Sequence, residues 1–555
     1  MSFCFQIHKV KSGLRRINLG ERCERWLLER RENMYKKKAL YILLGLLVLI
    51  LVGCGQPDQA EVPAEGSGEP AQSTEPTEPA APTYVGSETC KTCHSDKYAG
   101  WQRTLHSKMI QDASGEGVVI GDFSNIPEEF ADVADVMNPD DIVYTIGSKW
   151  KQRYLVEGED GFHYILPLQW NTAKEQWQPY HKDDWSERPW EKKCAGCHAT
   201  GLNVTDYSFV EPAIGCEACH GPGSEHAKTA DPTKIVATVA VDVCASCHNR
   251  GVAPSGEGYP VGFQPGEELG EEHYTSVAVG DKHVWDNGWA KGHHQQYLDW
   301  LLSGHSTALE SLMESGHVRD YCLNCHSADY RLAPEDAKPA PEELTESVNC
   351  NVCHVTHEPG FGEAQLRLPR EEVCSTCHNA GGPVEAGQAV HHPQAEMLSG
   401  EGALEVASVP SLHQAAGITC VDCHMTKVAK SMNYWDISNH VFQPVLPGEA
   451  LEGMPDTCTS CHKGSDPADR QAIIDSWQTT IENMLAELEP RLEAAKARVD
   501  AGGLAEDVVQ LYNIAFTNVS FVKADASKGV HNFAYTKAVL EAAAEKLDAF
   551  EERVK

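Results

Sequence analysis

The pentapeptide Cys-x-x-Cys-His constrains this chain more than any other feature, because it occurs nine times in 555 residues. Its copies take up 18 of the 21 cysteines and leave only Cys4, Cys23 and Cys54 outside the pattern. The paired cysteines are Cys90, Cys93, Cys194, Cys197, Cys216, Cys219, Cys244, Cys247, Cys322, Cys325, Cys350, Cys353, Cys374, Cys377, Cys420, Cys423, Cys458 and Cys461. The copies end on His94, His198, His220, His248, His326, His354, His378, His424 and His462. Whatever this unit binds must therefore shape most of the fold.

The pattern is the attachment signature of c-type haem. Two thiols add to the two vinyl groups of one porphyrin, and the adjacent histidine becomes the proximal ligand of the iron. A single copy is also compatible with half of a zinc site or with a redox dithiol. A disulfide framework gives no reason for a histidine after every cysteine pair. Nine copies favour haem over these alternatives, so the sequence predicts nine covalent haems c, numbered here by motif order.

Haem of this kind is attached outside the cytoplasm, and the chain carries a matching export signal. Three lysines at 36–38 precede an apolar run at 39–52, as in the n-region and h-region of a secretory signal. The run ends in LVGC, which resembles the lipobox of bacterial lipoproteins. We therefore predict a mis-assigned leader at 1–33, a lipoprotein signal peptide at 34–53 and lipidation of Cys54. An uncleaved short anchor is the alternative, although the run is short for a membrane span.

The remaining chain is strongly acidic. Without residues 1–53, 35 basic and 77 acidic side chains remain, a formal charge of −42. Such a charge argues against nucleic acid as a partner and suits cationic partners, metal ions or mineral surfaces. A well-solvated surface accounts for it equally well. Residues 54–83, rich in Pro, Glu, Ala and Ser, predict a tether without a core, so the membrane is contacted through the lipid anchor only.

The order of the motifs suggests three further domains. We predict an N-terminal tetrahaem cytochrome domain with haems 1–4 at 84–255 and a reductase-like pentahaem domain with haems 5–9 at 256–465. A helical region follows at 466–555. Several motifs are separated by short linkers, so the haems of the two clusters 2–4 and 5–7 are expected to lie together.

The predicted fold class is mainly α with little regular sheet, packed around haem. The motifs lie in loop-rich sequence with many Gly and Pro residues. Apolar alternation between 142 and 168, around an Asp-Gly turn, predicts a small β-hairpin insertion. Apolar residues at helical spacing over 473–492, 508–522 and 533–550 predict a C-terminal bundle of long helices.

Histidines outside the motifs are numerous enough to supply distal ligands. The chain has 26 histidines, and bis-histidine coordination closes the iron in a manner suited to electron transfer. His106 and His305 each follow a similar segment, WQRTLHS and WLLSGHS, which indicates a reused ligand helix. His226 follows the third motif closely enough to serve a neighbouring haem.

From about His293 onward the chain resembles the pentahaem cytochrome c nitrite reductases and their octahaem relatives, which include hydroxylamine oxidoreductase and tetrathionate reductase. The segments that carry the resemblance are, in order, CLNCHSADY, CNVCH, LRLPR, EEV before motif 7, HHP at 391–393, SLH at 411–413, CVDCHM, NH at 439–440 and GVHN at 529–532. The resemblance implies that His413, His440 and His531 are distal ligands. It also implies an active-site role for His392. The N-terminal part, roughly 84–250, is similar to tetrahaem cytochromes that accept electrons from hydroxylamine oxidation.

The distal candidates are therefore His106, His226, His294, His305, His413, His440 and His531.

The chain departs from that family at motif 5, which carries the catalytic haem of the family, and after motif 7. Nitrite and tetrathionate reductases use lysine as the proximal ligand, whereas this chain has His326. Their Tyr-Tyr-Phe run after motif 7 is replaced by NAGG at 379–382, which also removes expected calcium-site side chains. Hydroxylamine oxidoreductases do use a histidine-ligated catalytic haem, so an open haem 5 remains compatible with the sequence.

Three functions fit these observations. The first is a surface-anchored electron carrier or terminal reductase that serves other redox proteins or extracellular electron acceptors. The second is an oxidoreductase of a small nitrogen or sulfur compound, such as hydroxylamine, nitrite or tetrathionate, at haem 5, with His392 as proton donor. The third is a subunit of a cytochrome filament, with the C-terminal helices as a candidate homo-oligomer surface.

Overall fold

The computed structural model describes residues 81–427 and 438–555. The predicted leader, the signal peptide, Cys54 and nearly all of the predicted tether lie outside these residues. Residues 81–555 form one compact unit. In the described part of the chain no helix is both long and apolar enough to cross a membrane.

The helices are short around the motifs and long only at the C-terminus. The short α-helices are α1 (Ser87–Lys91), α2 (Ser95–Trp101), α3 (Trp190–Lys193), α4 (Ala195–His198), α5 (Cys216–His220), α6 (Ser224–Thr229), α7 (Val241–Ala245), α8 (Gln296–Leu301), α9 (Ala308–Glu314), α10 (Asp320–His326), α11 (Ala328–Leu332), α12 (Cys350–Cys353), α13 (Gln394–Ser399), α14 (Leu412–Ala415) and α15 (Cys420–His424). The long ones are α16 (Pro467–Asp500), α17 (Glu506–Asp525) and α18 (Phe533–Arg553). Single 3₁₀ turns occur at Glu128–Phe130, Ala134–Val136, Pro139–Asp141, Trp185–Glu187, Pro232–Lys234, Glu335–Ala337 and Pro341–Glu343. The prediction of a mainly α chain with little sheet is confirmed.

A six-stranded antiparallel sheet lies between motifs 1 and 2, and it is larger than the predicted hairpin. Its strands are β1 (Ile110–Asp112), β2 (Ile142–Ile146), β3 (Lys151–Glu157), β4 (His163–Ile165), β5 (Leu168–Asn171) and β6 (Gln176–Pro179), in the order β1-β2-β3-β5-β6 with β4 also paired to β3. The hairpin prediction missed β5 and β6 because their sequence is rich in Gln and Asn. These strands pair Trp170 with Trp177, whose ring centroids are 5.2 Å apart. Two-stranded ladders join β7 (Ala199–Thr200) to β8 (Glu211–Pro212) and β9 (Gly251–Val252) to β10 (Thr275–Ser276).

Both faces of this sheet are buried, and one face positions motif 2. Side chains alternate along a strand, so Tyr154 and Leu155 point to opposite faces. Leu155 packs in a core with Trp190, four residues before motif 2, and with Ala195, which lies between the two cysteines of that motif. Tyr154 packs with Trp177 on the other face. The sheet therefore acts as a rigid support for the second haem motif.

The three long helices pack around their own apolar core. Asp466 caps α16 by accepting a bond from Ala468 N at 2.8 Å, and Pro467 occupies the first helical position, where its missing N–H costs nothing. The core contains Ile481, Leu488, Val519, Phe521, Tyr535, Val539, Leu540 and Leu547, and all of them are buried. Met397 of α13 packs into the same core, so the helices also hold a segment of the haem region.

Helix α17 anchors the segment that carries the HHP sequence. Thr517 Oγ1 accepts from Gly387 N at 2.9 Å, and Ser520 Oγ accepts from Val390 N at 2.9 Å. Gln394 Nε2 donates to the carbonyl oxygen of Ala524, near the end of the same helix, at 3.0 Å. These bonds fix the backbone on both sides of residues 391–392.

Candidate functional site

Each motif folds as one helical turn, which brings its reactive groups together. The N–H of the motif histidine donates to the carbonyl of the first cysteine, four residues earlier, at 2.8–3.0 Å in His94, His248, His354, His378 and His462. Helices α4, α5, α10 and α15 end on the histidines of the four other motifs. Residues three and four apart lie on one face of a helix. The turn therefore presents both thiols and the imidazole to the same side.

Every motif histidine faces a second histidine ring. The pairs, with their centroid distances, are His94–His226 (6.1 Å), His198–His294 (6.4 Å), His220–His357 (5.8 Å), His248–His106 (6.4 Å), His326–His391 (6.4 Å), His354–His440 (6.4 Å), His378–His305 (6.1 Å), His424–His531 (6.0 Å) and His462–His413 (6.2 Å). Nine rings thus stand opposite the nine rings of the motifs.

This spacing fits an iron between two imidazoles. A ring nitrogen binds a metal at about 2 Å and lies about 1 Å from its centroid, so two axial imidazoles have centroids about 6 Å apart. Direct stacking would bring the rings closer. The donor set also fits haem c, because two thiols flank one member of each histidine pair.

The facing rings include all seven histidines predicted as distal candidates. Two further ones, His357 and His391, were missed by the sequence analysis. His357 lies three residues after His354, and this second histidine so close to a motif was the available signal. His391 was overlooked because the family resemblance assigns the function to its neighbour His392.

Burial keeps several of these imidazoles neutral. Desolvation lowers the pKa of His106 and His305 to about 4 and that of His294 and His440 to about 3. Nearby histidines contribute to the same lowering of the pKa. A neutral imidazole has the free lone pair that a metal requires.

In seven of the eighteen paired histidines, the second ring nitrogen is held by a backbone carbonyl. Nδ1 lies opposite a carbonyl oxygen in His220, His226, His294, His326, His354, His424 and His440, at 2.5–3.4 Å. His531 differs, because its Nδ1 lies 2.5 Å from Oδ1 of the buried carboxylate of Asp525. Such bonds orient an imidazole and set its strength as a ligand.

The predicted reuse of a ligand segment corresponds to a repeated local structure. The indole N–H of Trp101 donates to Ile214 O at 2.8 Å, and that of Trp300 donates to Val348 O at 2.8 Å. Each acceptor lies two residues before the first cysteine of a motif. The chain then turns, so His106 and His305 stand five residues after their tryptophans. The same turn therefore docks beside motif 3 in one case and motif 6 in the other.

The motifs lie beside one another in an order that differs from their order in the chain. The thiols that interact most strongly as neighbours are Cys90–Cys216, Cys197–Cys247, Cys244–Cys350, Cys325–Cys377 and Cys374–Cys420. Weaker electrostatic neighbours are Cys219–Cys247, Cys353–Cys377 and Cys423–Cys458. Together these contacts form one series of motifs, 1-3-4-6-7-8-9. Motif 2 branches from motif 4, and motif 5 branches from motif 7.

The two ends of this series reach the surface. Among the 18 motif cysteines, Cys93 of motif 1 and Cys461 of motif 9 are the exposed ones. Inner motifs keep both thiols at least partly covered.

Motif 5 has the most crowded surroundings. One ring nitrogen from each of His326, His391 and His392 lies within 4.8 Å of the other two. The centroid of His392 is 6.3 Å from that of His326, and it is also 5.7 Å from that of His378 in motif 7. His392 therefore stands between two neighbouring motifs.

Two family models match separate parts of the chain. The family described as cytochrome c552 matches residues 390–554. The family described as cytochrome c554 and c-prime matches residues 89–120, 168–221 and 288–355.

Solved structures similar to this chain include three cytochromes. The outer cell wall cytochrome OcwA is 37% identical, with 84% of this chain and 99% of that chain covered and a TM-score of 0.75. The undecaheme cytochrome from the S-layer of Carboxydothermus ferrireducens is 23% identical, with 86% and 71% covered and a TM-score of 0.55. A cytochrome c nitrite reductase from Desulfovibrio desulfuricans is 17% identical, with 46% and 75% covered and a TM-score of 0.33.

Proposed function

The chain belongs to the multihaem c-type cytochromes, which bind haem c covalently and transfer electrons, and we propose that it is a nonahaem carrier that conducts electrons outside the cytoplasm. The predicted resemblance to this family is confirmed. The proposal adds the number of haems, the route of the electrons and the place where they are delivered.

The observation that carries the proposal is the continuous series of neighbouring motifs. Each thiol anchors the edge of one porphyrin, so motifs whose thiols are neighbours would hold their haems close together. The series 1-3-4-6-7-8-9 then provides a route through the whole folded unit. Haems 2 and 5 are side branches on this route.

The facing histidines support closed irons. With His226, His294, His357 and their equivalents as distal ligands, each iron has two imidazoles and no free position. Bis-histidine haems exchange electrons without binding substrate. This arrangement favours a relay over a catalyst.

The ends of the series are the places where electrons enter and leave. The predicted lipid anchor at Cys54 precedes motif 1 in the chain, so we assign haem 1 to the donor end and haem 9 to the acceptor end. The exposed Cys93 and Cys461 support surface access at both ends. Partners are other redox proteins at haem 1 and extracellular electron acceptors at haem 9.

An extracytoplasmic location agrees with the relatives. OcwA is described as an outer cell wall cytochrome, and the undecaheme cytochrome comes from an S-layer. The formal charge of −42 after residue 53 favours cationic or mineral acceptors over anionic surfaces.

The enzymatic alternative requires an open iron at haem 5. His391 and His392 both lie near His326, which favours a closed iron, so we retain the electron relay as the proposed function. The filament alternative stays a prediction.

Haem quantification with low-temperature EPR tests the relay directly. We expect nine haems per chain, all of them low-spin in the oxidised protein. A high-spin signal close to one haem per chain in the wild type would overturn the closed relay. A lower haem count would overturn the nonahaem assignment.

A pair of matched variants tests the route. Cys458→Ala with Cys461→Ala removes haem 9 from the end of the series, whereas Cys194→Ala with Cys197→Ala removes haem 2 from a branch. We expect the first variant to lose electron transfer to a ferric mineral and the second to keep it, with eight haems in each. Equal rates for the two variants would contradict the proposed order.

A further inference from the structure

Motif 5 differs from the other described motifs in that the ring nitrogens of three histidines, His326, His391 and His392, converge there. The ring centroids of His391 and His392 lie 6.4 Å and 6.3 Å from that of His326. One ring nitrogen from each of the three lies within 4.8 Å of the others. An iron in this position can bind only one of them, because a haem has a single distal coordination site.

The two rings belong to one short segment that is fixed on either side. Val390 N donates to Ser520 Oγ at 2.9 Å, and Ala395 N donates to His378 O at 3.1 Å. Between these anchors, His392 has a φ of 53° in the left-handed region, which turns two successive side chains toward the same place. The rings of His391 and His392 are 3.9 Å apart.

The two rings differ in their surroundings. His391 is exposed to solvent, whereas His392 is partly buried beside His378. A ring at the surface can leave the iron by rotating its side chain into water. The inner ring remains beside the iron when this happens.

We propose that His391 and His392 are interchangeable distal ligands of haem 5, and that their exchange opens a transient binding site for small iron-binding ligands such as carbon monoxide or cyanide. The exchange breaks one iron–nitrogen bond and forms another, and it needs no electron or proton from elsewhere. This inference rests on the proposed function for the attachment of haem 5 and for His326 as its proximal ligand. It extends that function by giving one branch haem a gated site.

Removal of each histidine alone and of both together tests this inference. The variants are His391→Ala, His392→Asn and the double substitution; asparagine is chosen because it tolerates the left-handed backbone. We expect both single variants to retain nine low-spin haems. The double variant should show one high-spin haem per chain by EPR and bind one carbon monoxide when reduced.

His413→Ala is the matched control, because His413 is also exposed and is the ring that faces His462 of motif 9. This single change should produce one high-spin haem. The difference in high-spin haem between His413→Ala and His391→Ala shows whether haem 5 has a second histidine available as its distal ligand.

Two outcomes would overturn the inference. A high-spin haem in either single variant would show that one histidine is the sole ligand. A double variant that remains fully low-spin would place the distal ligand elsewhere. If the double variant loses haem or fails to fold, the two single variants still decide the question. A wild type with a high-spin haem or fewer than nine haems would instead count against the proposed function.

Discussion

Asp525→Asn should raise the reduction potential of haem 8. The Oδ1 atom of Asp525 lies 2.5 Å from Nδ1 of His531, which faces His424 across the proposed iron site. The carboxylate is fully buried, whereas the same nitrogen in seven other haem histidines lies opposite a neutral carbonyl. A buried negative charge stabilises the ferric state more than the ferrous state, because the ferric iron carries one more positive charge.

The size of the shift follows from the distance. The distance from Oδ1 to the iron is the sum of three lengths: the 2.5 Å hydrogen bond, about 2 Å across the imidazole ring and about 2 Å for the iron–nitrogen bond. The total is about 6.5 Å. At an effective dielectric constant of about 20, one unit charge at this distance is worth about 2.5 kcal/mol. About 1.4 kcal/mol corresponds to a tenfold change in equilibrium and to about 59 mV for one electron. The expected rise is therefore about 100 mV.

An EPR-monitored redox titration of the purified protein measures this shift, with one of the low-spin signals moving to higher potential. Asp507→Asn is the matched control, because Asp507 lies at the other end of the same helix and pairs with Arg553 at the surface. If Asp525→Asn leaves every potential unchanged, or lowers one, the electrostatic reasoning is wrong. A shift of similar size in Asp507→Asn would also contradict it.

The remaining predictions concern stability. Trp300→Phe should lower the free energy of unfolding by about 1–3 kcal/mol, because it leaves the buried carbonyl of Val348 without its indole donor; an unchanged thermal midpoint would contradict this. Asp466→Ala should cost about 1 kcal/mol in denaturant unfolding by removing the cap bond to Ala468 N, whereas Glu493→Ala on the surface of the same helix should cost less. If haem attachment is blocked, circular dichroism should show that the three long helices persist, because they have their own apolar core, while the motif region loses its order. If the protein without haem kept its full near-ultraviolet circular dichroism, the predicted loss of order in the motif region would be refuted.

The C-terminal helices and the first half of the sheet were predictable because their signals are local. The apolar residues from Ile473 to Leu492 repeat at helical spacing, and α16 covers them all. The strand at 142–146 is rich in β-branched residues, and the strand at 151–157 contains the apolar run Tyr154, Leu155 and Val156. Strands β5 and β6 were not predictable in this way, since the polar side chains of Gln169, Asn171 and Gln178 are buried only in the folded sheet.

The distal histidines show the limit of sequence reasoning at the site. The segment WLLSGHS identifies His305 as a candidate but does not reveal that it faces His378 of motif 7. Likewise, His357 follows motif 6 in the chain but faces His220 of motif 3. The seven candidates could be named from their residues and from family resemblance, whereas their partners depend on contacts between distant segments.

The attachment chemistry follows from the sequence alone, because both thiols and the histidine of each motif lie within five residues and fold as a single turn. The sequence also determined the acidity of the chain and the positions of the long helices, which depend on composition and short-range spacing. Three relations depend on the three-dimensional fold: which histidine faces which motif, that motif 3 follows motif 1 in the series, and that His391 joins His392 beside His326. Those relations arise from packing between segments far apart in the chain, and no local pattern encodes them.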